Sequence, residues 1–299
     1  MDKRIEKVGF DLGNGVTLDR AADGGPVRFS VNGRRKNTTH IYPSTKVPNH
    51  ILPADSDAEL QVAILLDVST SVLTYMAQPH TLEFDRPNGG RRWSYTPDFE
   101  IVVPRSFIRE LEKGTPFAVA ALKLPQARAS ADDLVNLVLE VKGASKYQEL
   151  GKADRTDAKK AKSKKKKEDY EAKLGEAARI YAEQGFHFYL VQDKRDLQCI
   201  NLSHLPSILV DDEANISTKL KNLAVTHLRA CNGLSTYGRV IEVLGGDPYG
   251  REAANFLHVQ GLIWIDLSQN PGPAAKVAMP PLLGNRRNMI SLCSVDEAA

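Results

Sequence analysis

Asp98, Glu140 and Lys142 are the residues of this chain whose types and spacing are suited to chemistry. Glu140 and Lys142 stand two apart in "NLVLEVKG", a run whose aliphatic and β-branched residues predict a strand entering a core. On a strand, residues i and i+2 face the same side, about 7 Å apart. A carboxylate and an ammonium therefore share one face of an otherwise apolar segment, and burying them requires partners. Asp98 follows Pro97 in "YTPDF", and a proline, which cannot donate to a ladder, puts that segment at a strand start or edge. Two carboxylates converging from neighbouring strands make a hard-oxygen site for Mg²⁺, with Mn²⁺ as a substitute. Such an ion polarises a phosphate and lowers the pKa of its bound water. A lysine beside that water offsets negative charge developing on the phosphorane. A salt bridge at a strand end is the plain alternative.

The elements that must hold these residues can be read along the chain. "GPVRFSV" and "THIYPS" are strand-like, and "DSDAELQVAILLDVSTSVLTYMAQP" reads as a helix with Asp55, Ser56 and Asp57 as candidate N-caps. "HTLEFD", "RRWSYTPDFEIVV" and "NLVLEVKG" are strands separated by turn signals such as "RPNGG". A charged helix follows from about Lys152 and stops at Gly185, before a fifth strand "FHFYLVQ". Beyond "NLSHLPS" the texture changes to three short helices and a strand–turn–strand, "LIWIDLSQNPGPAAKVAMPPL", the outline of a winged helix-turn-helix. The fold expected is α/β, a central mixed sheet with flanking helices over residues 1–205. A small winged-helix-like domain over 206–299 follows it.

An Asp at one strand and Glu-x-Lys on the next is the two-strand signature of PD-(D/E)XK nucleases. The segment "PRSFIRELEKGTPFAVAALKLPQARAS" between them must then be a loop or helical insertion. Glu59, in the first turn of the helix before the sheet, is a candidate third carboxylate. A helix N-terminus favours an acidic residue there for its own electrostatic reasons, which is the simpler account of Glu59 taken alone.

In order along the chain come "YPSTK", "AELQVAILLDVSTSV", "QPHTLEF", "YTPDFEI", "LVLEVKG", "GFHFYLVQ" and "NLSHL". This series resembles the TnsA family of transposon endonucleases across roughly residues 30–205, and further on only in outline. The resemblance implies that Glu59, Asp98 and Glu140 are metal carboxylates and Lys142 is the catalytic lysine. It also places Val141, which has only its main chain to offer, among the metal ligands, and Gln78 near the site in a supporting role at most. It implies a metal-dependent cut of the 5′ strands at transposon ends, on double-stranded DNA. The partners it implies are an integrase-type, TnsB-like transposase and a TnsC-like ATPase regulator. A stand-alone restriction or defence nuclease of the same core, and a non-catalytic scaffold, are the other classes the residues allow.

The run Lys159, Lys160, Lys162, Lys164, Lys165, Lys166 and Lys167 crowds onto a little over two helical turns. Like charges at i,i+4 repel, so the expected partner is a DNA backbone, with a solvated face as the alternative. "VGFDLGNG" looks like a phosphate loop but lacks a second such loop downstream, and reads as a Gly/Asn turn between strands. Tyr237, Arg239, Tyr249 and Arg251 are candidates to reach DNA or a partner, whereas His227 and His258 read as surface or core-edge residues. Across 299 residues the net charge is only +3, so bulk charge hardly argues for nucleic acid. Cys199, Cys231 and Cys293 have no CxxC spacing, which excludes a zinc ribbon and fits a reducing compartment. With no apolar h-region at the N-terminus and no apolar run long enough to span a bilayer, the expectation is a soluble cytoplasmic protein without a membrane partner.

Overall fold

The computed structural model describes residues 5–29, 38–47, 51–86, 89–125, 133–143, 157–211 and 216–281, with the backbone alone for 157–166. Its centre is a mixed sheet of four strands. β9 (Leu134–Lys142) pairs in parallel with β10 (His187–Gln192) and antiparallel with β8 (Phe99–Pro104), and β8 pairs antiparallel with β5 (Thr74–Ala77). An antiparallel sheet lies beside it, built from β1 (Lys7–Gly13), β2 (Val16–Ala21), β6 (His80–Phe84) and β7 (Trp93–Tyr95) in that order. The Gly/Asn turn expected near residue 14 joins β1 to β2, with Asn14 and Gly15 both at positive φ. A short pair, β3 (His40–Pro43) and β4 (Ile51–Ala54), precedes the first helix.

Alternation along β9 sends its residues to two cores. Leu137, Leu139 and Val141 join the cluster containing Leu65, Leu66, Phe99 and Ile101, built on helix α1 (Asp57–Val68). Val138 faces the other way, into a cluster with Leu82, Phe84, Tyr95, Ala177 and Tyr181. The last two sit on the long helix α4 (Asp157–Glu183), which ends before Gly185 at φ +80°.

Three expectations about elements are corrected. The helix read from Asp55 through Pro79 ends at Val68, and "TYMA" is strand β5. The stop is built by Lys46, whose buried ammonium donates to the carbonyls of Leu66, Ser69 and Val72 at 2.7, 2.5 and 2.8 Å. "RRWSYTPDFEIVV" is two strands in different sheets, β7 and β8, because Pro97 interrupts the ladder and the chain crosses from one sheet to the other there. Of "GPVRFSV", the described residues 25–29 are not strand, and the rest lies outside the described residues. The segment after β8 is helical, α2 (Arg105–Glu112) and α3 (Phe117–Leu122), as far as it is described.

The C-terminal part contains α5 (Leu205–Val210), α6 (Thr218–Ala230), α7 (Tyr237–Val243) and α8 (Tyr249–Val259). A three-stranded antiparallel sheet, β11 (Leu234–Thr236), β13 (Lys276–Ala278) and β12 (Trp264–Ile265), completes it. It is not held at arm's length. α5 packs on α1, and the α1 core continues through Leu228, Val240, Leu257 and Ile265. Trp264 Nε1 donates to the Leu122 carbonyl at 2.9 Å, and His204 Nε2 lies 3.0 Å from the Leu267 carbonyl oxygen. Among the described residues, no helix is long and apolar enough to cross a membrane.

Candidate active site

Three elements bring the sequence-named residues together. Asp98 sits at the crossing between the two sheets. Its main chain is fixed on both sides, by its N–H donating to the Leu139 carbonyl (3.1 Å) and its carbonyl accepting from Gln78 N–H (2.9 Å). Its side-chain Oδ2 accepts from Val141 N–H at 2.7 Å, which ties it to the neighbouring strand beside Glu140. Glu140 and Lys142 share a face of β9, as the i,i+2 spacing requires, and the Lys142 ammonium donates to Glu140 Oε1. Tyr170 of α4 donates to the same oxygen at 2.5 Å, and Tyr95 of β7 donates to Oε2 at 2.8 Å. The Lys142 ammonium also lies 4.9 Å from the centre of the Tyr170 ring.

Glu59 comes from the first turn of α1, where Ser56 is the N-cap. Ser56 Oγ accepts from Glu59 N–H and donates to Glu59 Oε1 at 2.9 Å, while Asp55 N–H donates to Oε2 at 2.7 Å. This is a capping box displaced by one residue. The capping account of Glu59 therefore holds, and the same bonds keep its carboxylate on a cavity wall. Glu59, Asp98, Glu140, Val141 and Lys142 line one cavity of about 360 Å³, together with Arg28, Tyr170 and Lys173.

The electrostatics of the cavity follow from burial and crowding. Burial pushes the Asp98 carboxyl well above the usual carboxylate range, and the charges of Glu140 and Glu59 push it further. Lys142 and the Val141 amide pull against that shift. Burial, then the Glu140 charge, raises the Tyr95 phenol well above its ordinary value, so it stays a donor to Glu140. Burial lowers the Lys173 ammonium; Glu140 opposes this, while Lys142 and Arg86 reinforce it.

The three carboxylates that line one cavity beside the Val141 main chain fit a hard divalent cation in their chemistry, because mutual repulsion of the carboxylates is what such an ion relieves. Among the described residues, no three acidic, histidine or cysteine groups already stand in a metal-holding cluster. Glu140 is instead neutralised by its own strand neighbour, Lys142.

Other sequence-named residues lie elsewhere. Lys159, Lys160, Lys162, Lys164, Lys165 and Lys166 are on α4, but their side chains lie outside the described residues. Lys167 is paired with Glu171 at 3.7 Å. Gln78 is fully buried at φ +47° and accepts from Arg28 Nε at 3.0 Å, so it touches the cavity through Arg28. Tyr237 is corrected: it is buried, its hydroxyl donates to Asn255 at 2.6 Å, and it cannot reach a partner. Arg239 and Arg251 are exposed and paired with Glu242 and Asp247, Tyr249 is exposed, and His227 lies against Ser235. Arg28, Tyr170 and Lys173 escaped the sequence reading. Only the Tyr170/Lys173 spacing of i,i+3 on the charged helix could have marked the last two as sharing a face.

No protein-family model matches this chain, and no curated protein matches it in sequence.

Proposed function

We propose that this chain is a metal-dependent DNA endonuclease of the PD-(D/E)XK type. The observation that carries the reading is the convergence of Glu59, Asp98, Glu140 and Lys142, from three separate elements, on one cavity. In this reading the central sheet with α1 on one face is the restriction-endonuclease-like core, and α6, α7, α8 with the three-stranded sheet form the winged-helix-like part. Glu59, Asp98, Glu140 and the Val141 carbonyl would hold Mg²⁺ or Mn²⁺, which when bound supplies phosphate polarisation and a more acidic water.

The chain's own residues do the rest. Asp98 gives up the proton that burial and its acidic neighbours favour. Tyr95 and Tyr170 keep Glu140 turned toward the cavity. The Lys142 ammonium, poised on Glu140, moves to the attacking water and offsets charge on the phosphorane. The resemblance to the TnsA family extends the proposal to a cytoplasmic subunit of a heteromeric transposase. Such a subunit cuts 5′ strands at transposon ends, beside a TnsB-like transposase and a TnsC-like ATPase.

The test is strand cleavage in Mg²⁺ or Mn²⁺ by wild type and by Asp98→Ala, Glu140→Ala and Lys142→Ala, with and without the cognate transposase and ATPase. Each variant is expected to lose cleavage while keeping its fold by circular dichroism. A variant that still cuts near the wild-type rate removes its residue from the mechanism. Efficient site-specific cutting by wild type alone replaces the transposase subunit with a stand-alone nuclease.

A further inference from the structure

A second groove, of about 480 Å³, adjoins the cavity and shares Ser94, Tyr170 and Lys173 with it. Its walls carry Arg86, Arg91, Arg92 and Lys173 against the single acid Asp169. Arg92 is a fixed part of the wall: its guanidinium is paired with Asp85 at 3.2 Å and donates to the Glu83 carbonyl at 3.0 Å. The Arg86 guanidinium stands 5.2 Å from the Trp93 ring, with NH1 3.2 Å from Asp169. Arg91 is exposed and has no ion pair among the described residues.

Among the described residues, two donors here lack acceptors: the buried Arg86 Nε–H and the buried indole Nε1–H of Trp93, a residue only 6% exposed. Both donors belong to residues that line the groove, so an acceptor-rich group against that wall is favourable. Excess positive charge, donors awaiting acceptors and continuity with the cavity all favour the same ligand chemistry. Phosphodiester oxygens supply it, at the ionic cost-saving that counterion release gives basic grooves.

We propose that this groove holds the phosphates of the DNA strand flanking the scissile position, with Arg86, Arg91 and the Trp93 indole as their donors. The proposal rests on the nuclease reading above and adds to it the path by which the strand leaves the cavity.

The experiment is binding of a duplex of arbitrary sequence to the full chain without divalent metal, titrated against salt. Wild type is compared with Arg86→Gln/Arg91→Gln, and separately with Arg91→Gln and with Trp93→Phe. Each phosphate contact removed should flatten the slope of log K against log salt by about 0.9, so the double variant should lose roughly 2 and Arg91→Gln roughly 1. Trp93→Phe keeps the ring and should weaken binding several-fold. Uncharged methylphosphonates placed one at a time along the strand should weaken wild type at the flanking positions and the double variant no further. Arg91→Gln alone covers the case in which the double variant fails to fold. Unchanged slopes in folded variants, with wild type still binding and cutting, overturn the groove and leave the nuclease standing. A wild type that neither binds nor cuts DNA overturns the nuclease reading and the groove with it.

Discussion

Acid should loosen the junction between α8 and the small C-terminal sheet through a single ring. His258 is 2% exposed, and its Nδ1 accepts from Ile265 N–H at 3.0 Å, a bond that only an unprotonated nitrogen makes. Burial pushes its pKa from 6.5 down to about 3; the Lys46 charge works in the same direction, and the Val68 main chain opposes it. The neutral ring is thus the folded form. Its stabilisation is complete above about pH 6.5 and is lost as pH falls toward 3. At about 1.4 kcal/mol per pH unit, the loss comes to roughly 2 kcal/mol by pH 5 and about 5 kcal/mol at most. The assay is urea denaturation of the full chain at pH 7.5 and pH 5, for wild type and His258→Asn. The asparagine can accept from Ile265 N–H but does not titrate. Wild type should lose about 2 kcal/mol more than the variant over that interval. Equal losses would mean that the ring takes its proton without disturbing the junction, so that burial does not hold it neutral.

Two further outcomes follow from the site and its supports. Without divalent metal, Asp98→Asn should be more stable than wild type at neutral pH, and the gap should close as pH falls toward the ordinary carboxylate value of 3.8. The raised value in the fold means that ionised Asp98 is the form the fold disfavours. Thermal melts across pH read this, and a variant no more stable than wild type at pH 7 would contradict it. Lys46→Met removes an ammonium that three buried carbonyls share, and should destabilise the chain by about 3–5 kcal/mol in urea. A loss below about 1 kcal/mol would show that the α1 terminus finds other donors.

The candidate site was legible because the residues that line its cavity stand in local sequence patterns. Pro97–Asp98 and Glu140-x-Lys142 stand on strand-like segments, and Ser56 to Glu59 spells a cap. What was hidden is carried by contacts between distant segments. Nothing local to "RRWSYTPDFEIVV" says that its two halves join different sheets, since both halves have strand character and only the pairing partners differ. Lys46 reads as part of a polar "YPSTK" run, yet its ammonium, with Tyr42 and Ser44 bonded to buried Asp67, fastens α1. Burial pushes Asp67 up, and the hydrogen bonds from Tyr42 and Ser44 and the Lys46 charge pull it back. Tyr237 reads outward from sequence because a short helix offers too few turns to fix its buried face, and its hydroxyl disguises a core position. Arg28 reaches the cavity from a segment without regular structure, where periodicity has nothing to say.

Glu59 makes the entrance of α1 a reporter. Its two oxygens already serve the Asp55 amide and the Ser56 hydroxyl, and the Asp98 Oδ2 serves the Val141 amide. A ligand that recruits those oxygens takes an acceptor from one main-chain N–H at a helix entrance and from another near the end of β9. Deuterium uptake at Asp55 and Val141 should then rise together as the cavity fills, while the amides of the α1 interior keep their protection. Two backbone positions on separate elements thereby record occupancy without any bond being cut.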